Sequence, residues 1–177
     1  HPKLTVRYHE GLPIGITMEL EFRAASRKFP GQVVFQNLNL HIESGSRWSI
    51  LGGNGSGKST LLKTAYGALS LSSGDVIHRQ NGAKIEAQTA ALKIAYAAPY
   101  FELIEELTVL EFLKRYRGFR PFRADASPES IIERTMLLEA ANKKIRNLSS
   151  GMKQRLRLGL ALFTEADLVI LDEPSSN

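Results

Sequence analysis

Alternation and helical spacing divide the chain into stretches of different kinds. Polar and apolar residues alternate through Glu19-Leu20-Glu21-Phe22-Arg23-Ala24, with Met18 opening the stretch, which predicts a strand. Val33-Val34-Phe35 is β-rich, and Asn37-Leu38-Asn39-Leu40-His41-Ile42 alternates again. After the turn at Glu43-Ser44-Gly45-Ser46, Arg47-Trp48-Ser49-Ile50-Leu51 reads as a buried strand. A helix is expected from Ser59 to Leu69. Short strands are expected at Gly74–His78, closed by the Asn81-Gly82 turn, and at Ile94–Ala97. The middle of the chain is helical. Thr108 can cap a helix to about Tyr116, with Gly118 and Pro121 as its breakers. Ser127-Pro128-Glu129 opens another, with the cap at Ser127 and proline in the first turn, fading by Asn142. Ser149 caps a third, whose apolar face is Leu156, Leu160 and Phe163 with Gly159 between. Leu168-Val169-Ile170-Leu171 is a continuous apolar run, the pattern of a strand covered on both faces.

The first 17 residues lack a clear period. Met18 is expected to be the native start, and residues 1–17 a foreign or flexible segment; an added N-terminal strand is the alternative. Residues 18–177 then form one domain, with a helical subdomain at about 103–150. Composition sets the remaining bounds. The 177 residues are 43% hydrophobic and 23% charged, the balance of an ordinary globular protein. The absence of cysteine excludes a disulfide scaffold, a thiolate metal site and a cysteine nucleophile. No run approaches the roughly 18 apolar residues of a membrane-spanning helix. The formal charge of +5 permits polyanion partners without requiring them.

Chemistry concentrates at three places. Gly52-Gly53-Asn54-Gly55-Ser56-Gly57-Lys58-Ser59-Thr60 matches G-x-x-x-x-G-K-[ST] between a predicted strand and a predicted helix. Its glycines let successive backbone N–H groups turn onto a phosphate chain, and a helix N-terminus adds partial positive charge. Lys58 supplies a point charge for the β- and γ-phosphates, and the Ser59 hydroxyl can ligate Mg²⁺. The second place is the apolar strand ending in Asp172-Glu173-Pro174, a Walker B pattern. Asp172 would hold Mg²⁺ and Glu173 would polarise the attacking water. The third is Leu148-Ser149-Ser150-Gly151-Met152-Lys153-Gln154-Arg155, just before that strand.

Here the chain resembles the ATP-binding cassette (ABC) family, whose signature is LSGGQ-x-QR. Leu148, Ser149, Gly151, Gln154 and Arg155 match, while Ser150 replaces a glycine and Met152 the glutamine. The resemblance implies that Ser149, Ser150, Gly151 and Met152 face the nucleotide bound by an opposite subunit. It also assigns Phe29 to the position of an aromatic that stacks on adenine. The implied fold is an α/β P-loop NTPase of the ABC type. It has a core sheet carrying both Walker motifs, a small antiparallel β part and an inserted helical subdomain, and lacks the cassette's C-terminal part. The implied function is ATP binding and hydrolysis, with ATP and Mg²⁺ as cofactors, by a subunit that dimerises around ATP as a homodimer or heterodimer. It would power a separate membrane permease, with an exporter as the looser likeness, from the cytoplasmic face of the membrane. A soluble ABC protein acting on nucleic acid or the ribosome, or a weakly hydrolysing regulatory subunit, is the alternative.

Departures from the family pattern qualify this reading. The glutamine that should follow Ile94–Ala97 is absent, since Ala98-Pro99-Tyr100-Phe101 stands there, so its contact is expected to be missing or replaced. Lys143-Lys144-Ile145-Arg146-Asn147 stands where exporters carry TEVGE, and the D-loop aspartate and switch histidine are not in these residues. The cluster Lys114, Arg115, Arg117, Arg120 and Arg123, with Lys143, Lys144, Arg146, Lys153, Arg155 and Arg157, is expected to be a solvated face, with lipid headgroups or acidic loops of a membrane partner as the second reading and nucleic acid as the third.

Overall fold

The computed structural model describes residues 5–9, 17–98 and 102–172. They fall into two compact units that divide after Ile94.

The first unit is built on long antiparallel strands. Strands β2 (Met18–Phe29), β3 (Gln32–Ile42), β5 (Ser73–Gln80) and β6 (Ala83–Ile85) form one sheet in the order β3-β2-β5-β6. The alternation at Met18, Leu20 and Phe22 points those side chains inward, where each is buried. It breaks at Ala24, whose φ of 45° marks an irregularity in the ladder. Side chains take up the amides nearby: Ala24 N donates to Asn39 Oδ1 at 2.9 Å, and Asn37 N to Ser26 Oγ at 3.0 Å. Asn81 and Gly82 both have positive φ, as a two-residue primed turn needs, and join β5 to β6 with Gln80 facing Ala83.

Thr5–His9, inside the stretch set apart in the sequence, forms strand β1. It pairs antiparallel with β4 (Arg47–Leu51) and sets Tyr8 edge-on to Trp48, with ring centroids 5.6 Å apart. β4 is not the buried strand expected: Leu51 is 41% exposed and its neighbours are half-buried, because its described ladder has β1 alone as a partner. Helix α1 (Lys58–Ala65) is shorter than predicted, ending at Tyr66 before Gly67. Helix α2 (Ala87–Leu92) was not foreseen.

In the second unit, α3 (Val109–Phe119), α4 (Pro128–Arg134) and α5 (Ser150–Phe163) share a core with Leu103, Ile145 and Leu148. Thr108 caps α3 in a reciprocal box with Glu111, and Ser127 caps α4 with Ser130. Gly118 does not break α3, which runs to Phe119. An interior glycine costs only about 1 kcal/mol, and Phe112 and Leu113 in the core hold the helix. Helix α4 ends at Thr135 rather than near Asn142, and single 3₁₀ turns follow at Leu138–Ala140 and Ile145–Asn147. A Cβ on Gly159 would stand 2.6 Å from Thr135 Cγ2, so this glycine sets how closely α5 approaches the end of α4. Strand β8 (Leu168–Leu171) pairs with β7 (Ile94–Ala97). Among the described residues, the strand leading to the first Walker motif pairs in the β1-β4 ladder and the strand leading to the second in the β7-β8 ladder.

His78 ties β5 to the end of α1, with Nε2 2.6 Å from the Ala65 carbonyl oxygen. Burial holds its pKa below the ordinary value, and the bond to Ala65 offsets this only in part. The unfolded chain therefore takes up a proton below about pH 6.5 that the folded unit resists. Stability should be full above that pH and fall as pH decreases toward the lowered folded value. Urea midpoints from pH 7.5 to 5 should show this loss, and His78→Gln should flatten it; an equal slope in the variant would remove His78 as the cause.

Candidate nucleotide site

The phosphate loop turns on Gly55 and Gly57, with φ of 76° and 97°. Gly57 is the N-cap of α1 and offers no side chain to cap it. The N-cap residue thus places no side chain over the helix N-terminus, and no acidic residue lies in its first turn. A Cβ on Gly57 would lie 2.3 Å from Val34 Cγ1, so β3 presses directly against the loop. Lys58 curls back over it, donating from Nζ to Gly52 O at 2.9 Å and Gly53 O at 3.0 Å. Ser56 is 2% exposed, and among the described residues its hydroxyl has no hydrogen-bond partner. Such a buried orphan costs about 1–3 kcal/mol unless a ligand or water reaches it. Asn54 is exposed at the loop tip, and Ser59 and Thr60 lie half-buried in the first turn of α1. Uncapped amides, a long cation and a first-turn hydroxyl fit a nucleotide's phosphates and their Mg²⁺.

In the same unit Phe29 ends β2 and is 40% exposed. The Arg27 guanidinium lies over its ring, 4.4 Å from the centroid, and is itself held by Nη1 donating to Ser70 O at 2.8 Å. Sequence reading found Phe29 but not the arginine that orients it. The β2 register shifts between Arg27 and Lys28 in its pairing with β3, so simple alternation does not indicate that stacking.

The signature heads α5 in the second unit. Ser149 is its N-cap, and its Oγ accepts from Met152 N at 3.2 Å. That bond uses a lone pair, so the hydroxyl proton can still be donated to an anion. Ser149 and Ser150 are exposed. Met152 packs its side chain against the helical core, so of the four signature residues it presents least to a ligand. Lys153 Nζ donates to Glu105 Oε1 at 2.6 Å, and this pair lowers the Glu105 pKa. A Cβ on Gly151 would meet nothing within 4 Å, so no neighbour in this chain demands glycine there.

Asp172 follows β8 and is 2% exposed. Its amide donates to Ala97 O at 2.8 Å, and Tyr96 Oη donates to its Oδ2 at 3.0 Å. Sequence reading missed this tyrosine. Glu173, and Pro99-Tyr100-Phe101 of the expected glutamine region, lie outside the described residues.

A loop of this geometry at the head of a helix defines a nucleotide-binding protein of the P-loop class. The ABC transporter family model matches residues 35–176, and the chain belongs to that family. It is 38% identical over 147 residues to the cytochrome c biogenesis ATP-binding export protein CcmA of Reclinomonas americana, covering 81% of this chain and 65% of that protein. It is 29% identical over 169 residues to the Nod factor export ATP-binding protein I of Cupriavidus pinatubonensis, covering 93% of this chain and 52% of that one. The chain thus spans between half and two thirds of the length of these relatives. Among solved structures, an ABC transporter ATP-binding protein from Pyrococcus furiosus superposes with a TM-score of 0.71 at 25% identity, covering 88% of this chain and 76% of that one. The ABC fold read from the sequence is thereby confirmed.

Gly57 provides a test of the loop geometry. Gly57→Ala meets a left-handed backbone costing about 1–2 kcal/mol, together with the Val34 contact. Urea unfolding should show a loss of at least that size, and adding Val34→Ala should recover the steric part. Full stability in the single variant would mean that the loop is not held in this conformation.

Proposed function

We propose that the chain is the ATP-binding and ATP-hydrolysing subunit of an ABC transporter. It dimerises around ATP and drives a separate membrane permease from the cytoplasmic face. The observation that carries this reading is the phosphate loop, where Lys58 is poised over an uncapped helix N-terminus. Gly52 to Thr60 would wrap the phosphates, and Phe29, braced by Arg27, would stack on the adenine. Ser59 and Asp172 would hold Mg²⁺, which supplies charge neutralisation between the phosphates. Glu173 would take a proton from the attacking water. Similarity to two proteins named for export supports the exporter form. Among the described residues no helix is long and apolar enough to cross a membrane.

The nucleic-acid alternative is disfavoured by how the basic residues are used. Lys114 lies 3.9 Å from Glu129, and both Arg123 and Arg134 lie 3.4 Å from Asp125.

Nucleotide binding is the first test. Lys58→Ala should weaken Mg-ATP binding by 10-fold or more in calorimetric titration. Phe29→Ala should cost about 1–3 kcal/mol for ATP and nothing for inorganic triphosphate. An unchanged ATP affinity in Lys58→Ala would refute the phosphate-cradle reading.

Assembly is the second. In the full natural chain, Glu173→Gln should retain ATP and accumulate an ATP-dependent dimer, readable by sizing chromatography. Adding Gly151→Val should leave the melting temperature nearly unchanged, since the site is open within the chain, but abolish that dimer. A dimer that survives Gly151→Val would show that the signature does not face a partner's nucleotide.

A further inference from the structure

We propose that Tyr96 is a positioning residue for the metal-bearing carboxylate, an inference that rests on reading Asp172 as a Mg²⁺ ligand. Asp172 is almost wholly buried, and a buried carboxylate must have its oxygens satisfied by donors. Two neighbouring residues of β7 grip it in different ways. The Ala97 carbonyl accepts a hydrogen bond from its amide at 2.8 Å, which holds the end of β8 against β7. The Tyr96 hydroxyl donates to Oδ2 at 3.0 Å, which fixes the rotation of the carboxylate about its own bond.

A metal ligand needs that second constraint. A carboxylate free to turn presents a different oxygen, at a different angle, each time it moves. A hydrogen bond to one oxygen removes this freedom, and loss of such an outer contact typically lowers metal affinity 10–100-fold. The placement on β7 has a further meaning. This strand leads into Ala98-Pro99-Tyr100, where the sequence lacks the expected glutamine. Tyr96 contributes a neutral polar group from the strand itself, two residues ahead of that segment, and acts on the metal through Asp172.

The test uses Mn²⁺ as the probe, followed by electron paramagnetic resonance in the presence of ATP, in the 177-residue chain. Tyr96→Phe removes the hydroxyl and keeps the ring. It should raise the Mn²⁺ dissociation constant of the nucleotide complex about 10-fold while leaving ATP binding in excess chelator unchanged. A purely structural role would instead lower the melting temperature and weaken both kinds of binding together. Asp172→Asn should lose Mn²⁺ affinity on its own, and adding Tyr96→Phe to it should change nothing further. If Asp172→Asn weakens Mn²⁺ but Tyr96→Phe does not, the positioning role is wrong and the metal reading stands. If neither variant affects Mn²⁺, the assignment of Asp172 fails and takes the role of Tyr96 with it. Equal additional loss in the double variant would likewise overturn the proposal, because it would show that the tyrosine acts independently of the carboxylate.

Discussion

A left-handed backbone at Gly57, pressed against Val34, is the constraint on which the nucleotide-binding unit turns. The chain must leave β4, reverse and enter α1 with its first amides exposed. A residue with a side chain at Gly57 would be strained in φ and would collide with β3. Because Gly57 is also the N-cap, the cap residue places no side chain of its own on those amides. A Ser or Asp at that position would stabilise the helix and occupy its anion site. The loop thus gives up capping energy to keep donors open. Lys58, bonded to the Gly52 and Gly53 carbonyls, is held over the same stretch with no acidic partner among the described residues.

The signature helix solves the same problem differently. Its N-cap is a serine, and that serine does cap, satisfying Met152 N. The hydroxyl proton and the first amides of α5 are left to face outward. The helical unit behind it is rigid for ordinary reasons: two reciprocal caps, one shared apolar core and a close approach at Gly159. Arg134 lies over Phe163 at 4.2 Å, joining the end of α4 to the end of α5. The exposed start of the signature helix is thereby mounted on a well-packed support.

Much of this was legible because the signals are local. Caps at Thr108, Ser127 and Ser149, the Asn81-Gly82 hairpin and the start of β2 at Met18 each follow from residues within a few positions. The phosphate loop is equally local. Long-range partners were not legible. Helix α2 has no apolar period, Ala87-Gln88-Thr89-Ala90-Ala91-Leu92, and Ala90 alone of its residues is buried. The irregularity at Ala24 depends on Asn39, across the sheet. Tyr96 and Asp172 are 76 residues apart and meet through the β7-β8 ladder. Ends of helices were also misjudged, since Gly118 was outweighed by packing and α1 stopped sooner than its composition suggested.

Net charge and recognition are separable in this protein. The excess of +5 invites an electrostatic account of anion binding. Yet much of the basic character lies in the helical unit, where Lys114, Arg123, Arg134 and Lys153 have carboxylates beside them. Exposed charges are screened over about 8 Å at physiological salt, so this distributed excess contributes little at any one anion. The proposed phosphate loop would rely instead on fixed dipoles and one lysine, at hydrogen-bonding range, where screening has little effect. Under the proposed reading, selectivity for a nucleotide over polyanions in general would follow from backbone geometry. A triphosphate can enter a loop of amides a few ångströms across, whereas a duplex reads a broad surface potential, and here that potential is partly cancelled by neighbouring acids.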